Sequence, residues 1–420
     1  FLLSGSCTSV ARNDKRRGKR PNLVYVFADQ WRAQDAGFAG NNDVITENID
    51  KLASESLVFK HTVSCMPVST PYRGSLLTGQ YAHTHGLFLN DVTLDPDSVS
   101  IGKVYKNAGY DTGYIGKWHV NGNGRSNYIP ETHRQGFDFF KVLECTHNYM
   151  HSAYYDNNNP EKKYWKGYDA FAQTEEAVHY MEEHANGEKP FVLFLSWGPP
   201  HSPYEVVPEE FLNLYKDKDI TLRPNVPDQM KEKATRDLKG YYAHITALDR
   251  CVGMLQDAIK RLGVEEDTIF VLTSDHGDML GDHYHWRKTY PYEGSTHIPY
   301  IVKWPAGVFK TIPSGAKIEQ PVELRDFLPT FIELAGGAIP PDMDGKSLLK
   351  LVQGRQNEWR KYLDMEHATC YSPDNYWCAL TDGKLKYVWN FHTGKEELFD
   401  LRKDPKELVE CSGKPAYAAR

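Results

Sequence analysis

The sequence predicts an α/β protein: a large, mostly parallel sheet sandwiched by helices, then a small C-terminal α+β subdomain carrying an antiparallel sheet. Three observations lead there. Continuous apolar runs rich in β-branched and aromatic residues alternate with helical stretches. Polar clusters at 29–30, 117–119, 201 and 275–276 each follow a predicted strand. After about residue 355 the pattern changes to hairpin spacing around Asp382-Gly383.

Residues 22–28 (NLVYVFA) form the first buried-strand pattern, ending in Asp29-Gln30. Residues 48–56 predict a short helix and 57–64 a strand. Residues 98–107 predict a helix stopped by Gly109, and 111–115 a strand running into Gly116-Lys117-Trp118-His119. Residues 169–185 predict a helix and 191–197 (FVLFLSW) a central strand. A long helical stretch covers 227–262, ending at Gly263, and a strand at 268–273 leads into Ser274-Asp275-His276-Gly277-Asp278. A strand at 298–303 and a helix at 326–335 follow. The C-terminal hairpin spans 376–390 and a further strand 397–400. In sheets of this kind, sites form at the carboxyl ends of strands. Several polar clusters at that one edge are hard to explain as surface decoration.

The 420 residues are 40% hydrophobic and 25% charged, which excludes a disordered, collagen-like or multi-span membrane chain. A net charge of −7 gives no basic field for nucleic acid. The seven cysteines include no CxxC pair, which argues against a structural zinc site, and an odd count argues against a complete disulfide framework. Cys370 and Cys378 are close enough in sequence for local pairing, though nothing demands it. The opening Phe-Leu-Leu-Ser-Gly-Ser-Cys is similar to the end of a bacterial lipoprotein signal, with Cys7 the lipidated residue and an ordinary tail the alternative. The basic run at 12–19 reads as a solvated tether, so the chain is expected to be exported, as a periplasmic or cell-envelope protein.

The informative segment is 69–80, STPYRGSLLTGQ. Ser69 precedes a proline placed to open a helix, and a nucleophile there would feel the positive helix end. Arg73 lies one turn on and can reach back over it. A capping serine fits this spacing as well, and the segment alone does not choose between them.

The segment resembles the type I sulfatase signature, S/C-x-P-x-R-x-x-x-L-T-G, at every fixed position: Ser69, Pro71, Arg73, Leu77, Thr78 and Gly79. The resemblance runs from Pro21 to about Asp404. It implies an alkaline-phosphatase-like fold, with a tether at 1–20, a catalytic domain at 21–355 and the antiparallel subdomain at 356–420. It implies that Ser69 is converted to formylglycine by a radical-type maturation enzyme. It places one calcium ion on Asp29, Gln30, Asp275 and His276, together with residue 69. The commoner first pair is Asp-Asp, and a histidine is a less usual calcium donor, so Gln30 and His276 are departures. Gly116-Lys117-Trp118-His119 is similar to the family's G-K-W-H element, with Lys117 on sulfate and His119 on the formylglycine. His201, in Pro200-His201-Ser202-Pro203, would be the acid for the leaving oxygen; Lys288, just before Pro291-Tyr292-Glu293, would clamp a sulfate oxygen.

Chemically the set is coherent. Cleaving a sulfate monoester needs a nucleophile, neutralised charge and a proton for the departing alcohol. The cation and lysines supply charge, and an imidazole with an unperturbed pKa near ~6.5 can hold the proton. A hydrated aldehyde carries two hydroxyls on one carbon; plain serine lacks the second, so unmodified Ser69 protein is expected to be nearly inactive.

The leading expectation is therefore an exo-acting glycan sulfatase, with galactose or N-acetylgalactosamine 4-O-sulfate as substrate. His83 and His85, and Glu144, His147, Asn148 and Tyr149 in the loop ECTHNY, are candidate sugar contacts. One alternative is a phosphodiesterase or phosphomonoesterase of the same superfamily, which would need a second metal and further ligands such as His283 and His285. The other is a non-catalytic glycan-binding relative with unmodified Ser69.

Overall fold

The computed structural model describes residues 20–305, 313 and 315–417. Cys7 and the basic tether lie outside the described residues. At the centre is strand β1 (Asn22–Asp29), buried along its whole length. It lies between β3 (Phe191–Pro200) and β4 (Thr268–Ser274), parallel to both. Strand β2 (Asp111–Lys117) pairs parallel with β3 on the far side. Strand β5 (Tyr300–Lys303) runs antiparallel to β4. These strands belong to a ten-stranded sheet that is parallel at its centre, with antiparallel pairs on either side and a parallel pair again at one edge.

Why β1 reads as an unbroken apolar run is visible in its two faces. Val24, Val26 and Ala28 face one core, while Leu23, Tyr25 and Phe27 face the other. A strand covered on both sides has no polar positions to offer. The first core is closed by helix α2 (Asp169–His184) and the long helix α3 (Lys231–Arg261), through Tyr241, Ile245, Leu248 and Leu255. The second contains Tyr72, Leu76 and Leu77 of helix α1 (Ser69–Thr78), with Phe327 and Phe331 of a later helix, Phe327–Leu334. Tyr25 stacks on Phe194 at 4.8 Å between ring centroids. Each large side chain fully buried in this way contributes roughly 1.5–3 kcal/mol of transfer free energy.

The expected elements are present, with four kinds of difference. The 57–64 strand splits into Leu57–Phe59 in the large sheet and Thr62–Val63, which pairs with Val322–Glu323 in a separate ribbon. The long helix begins at Lys231, after a short 3-10 turn at Asp228–Met230. Strand β5 enters antiparallel, a direction hydrophobic periodicity cannot reveal. The strands Phe139–Leu143, Ala153–Asp156, Asn159–Tyr164 and Leu363–His367 were not anticipated. Asn159–Tyr164 (NPEKKY) is largely exposed, so nothing apolar marks it.

The C-terminal sheet is antiparallel, of four strands in sequence order from Leu363–His367 to Glu396–Asp400. It grips the large domain through polar contacts. Trp377 Nε1 donates to the Thr289 carbonyl at 2.8 Å. Lys386, fully buried on the hairpin, pairs with Glu293 and Glu407, each at 2.7 Å. A buried ammonium is tolerated there because both carboxylates meet it. This clamp fixes the segment that carries Lys288. The six described cysteines, Cys370 and Cys378 among them, are free.

Candidate active site

Four strand ends and one helix start converge at the carboxyl edge of the sheet. Helix α1 begins at Ser69 after the extended Val68, and all its residues are buried. Gly74, on the opposite flank of that helix, lies against the His85 ring; a Cβ would sit 2.6 Å from it. Gly116 lets β2 approach β3, since a Cβ there would lie 2.1 Å from the Ser196 carbonyl oxygen.

Ser69 Oγ stands 3.1 Å from His276 Nε2. The Nδ1 side of that ring faces the Gly277 carbonyl at 3.0 Å, so the proton belongs on Nδ1 and the Nε2 lone pair faces inward. Asp29, Asp275 and His276 bring ligand atoms within 4.8 Å of one another. Asp29 Oδ1 is buried with no hydrogen-bond partner, the state expected of an oxygen meant for a cation. Two carboxylates, one of them with a free buried oxygen, and an inward-facing neutral imidazole fit a divalent ion.

Gln30 sits directly beside these residues. Its backbone has φ 73°, a left-handed conformation. Its carboxamide donates to Asp278 Oδ2 at 2.7 Å and accepts from Lys288 Nζ at 3.0 Å. It therefore links Lys288 to Asp278, and the Gln30 backbone amide donates to Asp275 Oδ1 at 2.9 Å, beside the Asp29–Asp275–His276 cluster. Asp278 supplies the acceptor that holds the side-chain amide group in this orientation.

Lys117 donates to Asp29 Oδ2. Burial pushes the Asp29 carboxyl up, but Lys117 first, then His201 and Lys288, hold it well below the usual carboxylate range. Burial and then Asp29 push Asp275 the other way, to about 7. Burial lowers Lys117 in turn, and Asp29 more than offsets this, leaving it raised. Lys288 has no such partner and ends below its ordinary value through burial. Its Nζ donates to His201 Nε2 at 2.8 Å, while His201 Nδ1 faces the Ser202 carbonyl at 2.7 Å. Burial and Lys288 hold His201 well below the imidazole range. The resting His201 is thus neutral, unlike the unperturbed imidazole expected from the sequence, because a buried ammonium stands against it.

Arg73 does not reach back over its own turn. It bridges the Lys117 carbonyl at 2.7 Å, Ser196 Oγ at 2.8 Å and Asp275 Oδ2 at 3.5 Å. It is a brace that ties helix α1 to three strand ends. His119 also departs from expectation. It adopts φ 58°, its Nε2 faces Asp91 Oδ1 at 3.0 Å, and its buried Nδ1 has no partner. The hydrogen bond of Ser69 goes to His276 instead.

Of the sugar candidates, His147 is at the site: its ring stacks on His201 at 4.2 Å. Tyr149 supports the same loop by donating to the His201 carbonyl at 2.8 Å. Glu144 is structural, accepting from the Asn121 and Gly122 amides at 2.7 and 2.8 Å. Asn148 is exposed beside His147. His83 and His85 turn to other side chains. His83 points to Glu366 of the C-terminal sheet at 3.1 Å. His85 is consumed by Ser75 Oγ at 3.0 Å and the Leu87 amide at 3.1 Å. A second metal site does not form around His283 and His285, whose rings stack on Tyr292 and Tyr290 at 4.4 and 3.8 Å. Asp278, Ser196, Asp91 and Arg125 were missed. Only Asp278 carried a signal, lying in the same segment as Asp275.

The sulfatase family profile matches residues 21–338, and the profile of the N-sulphoglucosamine sulphohydrolase C-terminal region matches 281–419. The chain belongs to the sulfatase family. It is a sulfuric ester hydrolase. An ulvan-active sulfatase of Formosa agariphila is 38% identical over 403 residues, covering 95% of this chain and 78% of that protein. An endo-4-O-sulfatase of Bacteroides thetaiotaomicron is 31% identical, covering 83% of this chain and 76% of that one. A solved structure from work on glycosaminoglycan metabolism by Bacteroides thetaiotaomicron superposes with a TM-score of 0.85 at 26% identity, covering 96% of this chain and 94% of that one. The phosphonate monoester hydrolase of Agrobacterium radiobacter shares the fold, with a TM-score of 0.77 at 21% identity, covering 95% of this chain and 93% of that one.

The buried imidazoles of this sulfatase carry a pH prediction. Burial, then Lys117, pushes His119 down to about 3, and burial with Lys288 holds His201 and His276 well below the imidazole range. The unfolded chain protonates each near ~6.5, so each contributes stability that is lost as pH falls below that value. Nitrogen NMR of the imidazoles between about pH 8 and 5 should leave these three in neutral form. Titration of any of them near ~6.5 would contradict the account.

Proposed function

We propose that this sulfatase hydrolyses sulfate monoesters of carbohydrate through a formylglycine made from Ser69 and one calcium ion held by Asp29, Asp275 and His276. The observation that carries the reading is the convergence at Ser69 of a cation-ready cluster, buried Lys117 and Lys288, and a paired imidazole. Matured to the hydrated aldehyde, residue 69 would supply one hydroxyl to attack sulfur and a second to release sulfate. The cation, when bound, would supply positive charge for the ester oxygens.

The chain's own residues do the rest. Lys117 and Lys288 present ammonium groups in a site where burial strengthens each interaction. Arg73 fixes the positions of Lys117 and Asp275. The proton for the departing sugar oxygen resides on the Lys288–His201 pair. As the O–S bond breaks, Lys288 passes a proton to the Nε2 of neutral His201 and the departing oxygen takes it from there, leaving His201 neutral and Lys288 as the free amine. His119, whose buried Nδ1 has no partner while its Nε2 faces Asp91, would accept a proton from the matured residue 69.

A saccharide substrate is supported by the names of the relatives, an ulvan-active sulfatase and an endo-4-O-sulfatase among them. The second name favours the 4-O position, with galactose or N-acetylgalactosamine as the ring. The partners are then a sulfated saccharide and a radical-type maturation enzyme. We also propose export to the cell envelope, with Cys7 as lipid anchor. The phosphoesterase alternative loses support, because among the described residues a single His/Cys/Asp/Glu cluster is present.

The Ser69→Cys variant, converted to the aldehyde in an aerobic host and checked by peptide mass, should release sulfate from one mono-sulfated saccharide of a panel. The Ser69→Ala variant should release none. Turnover of phosphate esters alone by converted protein would overturn the reading. Chelation should abolish activity and lower the melting temperature, with calcium restoring both. Restoration by zinc and not by calcium would refute the assignment of the ion.

A further inference from the structure

At the mouth of the site lie residues the chemistry does not use. Arg125 and Asp91 form a fork, with Nε donating at 2.9 Å and Nη2 at 2.7 Å, which leaves Nη1 outside it. The Arg125 side chain is 47% exposed. Across from it stands Tyr371, from the loop after Leu363–His367 in the C-terminal subdomain. Its ring is 68% exposed, yet its backbone is held at φ 68°. A bulky residue in the left-handed region is strained and persists where its surroundings dictate it.

Hydrogen bonds tie Tyr371 to the nucleophile. Asn90 Nδ2 donates to the Tyr371 hydroxyl, while Asn90 Oδ1 accepts from the Thr70 amide at 3.0 Å, one residue past Ser69. Tyr371 lies within electrostatic reach of both Lys117 and Arg125, and neighbouring Cys370 within reach of Lys288, Asp91 and Arg125. An exposed aromatic residue and an exposed guanidinium thus lie beside the residues that surround residue 69. A ring face packs against the apolar face of a pyranose, and a guanidinium edge donates to its oxygens.

We propose that Tyr371 and Arg125 form the subsite for the sugar ring bearing the scissile sulfate, Tyr371 stacking on the ring and Arg125 Nη1 donating to a ring substituent oxygen. This rests on the carbohydrate reading above. The subsite belongs to the C-terminal subdomain as much as to the sheet, so the chain needs both for saccharide recognition.

The test uses converted full-length protein, with Tyr371→Ala, Tyr371→Phe and Arg125→Met variants. The readouts are KM and kcat on the best saccharide of the panel, and the inhibition constant of inorganic sulfate, which occupies the sulfate pocket alone. Tyr371→Ala and Arg125→Met should each raise KM by about 10-fold, the equivalent of roughly 1.4 kcal/mol. Tyr371→Phe keeps the ring and should stay within about 3-fold. The sulfate inhibition constant and kcat should hold. Unchanged KM in both truncated variants overturns the proposal alone. A fall in kcat with a shifted pH profile would also overturn it, showing that Arg125 acts only through Asp91 and His119. Wild-type protein that cleaves aryl sulfates but no saccharide would fail the carbohydrate reading, and the subsite with it.

Discussion

The buried Asp29–Lys117 ion pair is the contact on which the site depends. Asp29 ends the central strand and Lys117 ends its neighbour but one, both almost fully buried. Charges placed in so little water must be paired, and this requirement spreads outward. Asp275 takes Arg73, Asp278 takes Gln30, and Gln30 takes Lys288. Lys288 keeps one direction free, and it faces His201. The protonation states follow from the pairing. Asp29 stays ionised, His276 stays neutral with its lone pair inward, and His201 shares the Lys288 proton.

Arg73, Lys117 and Lys288 face ionised Asp29 together with Asp275 and Asp278, whose carboxyls burial pushes up, Asp275 to about 7. A divalent ion on the acid–imidazole cluster would then leave the pocket with surplus positive charge. That surplus suits an ester anion that gains charge as its S–O bond breaks. Burial makes the match worth more than the same charges on a surface. Strain sits at the same edge. Gln30, His119, Arg287 and Thr289 all adopt left-handed backbones around these side chains. For the β-branched Thr289 that conformation is costly, and Trp377 and Asn375 of the C-terminal sheet hold it by bonding its carbonyl.

Much of this was legible in the sequence, for a physical reason. A parallel sheet covered on both faces shows as apolar runs, and its functional residues fall where those runs stop. Asp29, Lys117, His201 and Asp275 were found that way, and the STPYRGSLLTG segment placed Ser69 among them. What stayed hidden depends on long-range pairing. That Asp278 holds the Gln30 amide nitrogen cannot be read from the neighbours of Gln30 in sequence. His83 and His85 lie close to the nucleophile in sequence, but the helix turn sends them to Glu366 and Ser75. Lys386 reads as a solvated hairpin lysine and is the buried clamp of the subdomain. Arg125 and Tyr371 stand nearly 250 positions apart, and no local pattern relates them.

The most direct test of this account is the dependence of kcat/KM on leaving group, for wild-type and His201→Ala protein, over a series of aryl sulfates. If the Lys288–His201 pair delivers the proton, the loss in the variant should be small for acidic phenols. It should grow toward about 10²–10⁴-fold for the least acidic. A loss of the same size across the whole series would contradict the account, because it would leave His201 holding the site together without supplying its proton.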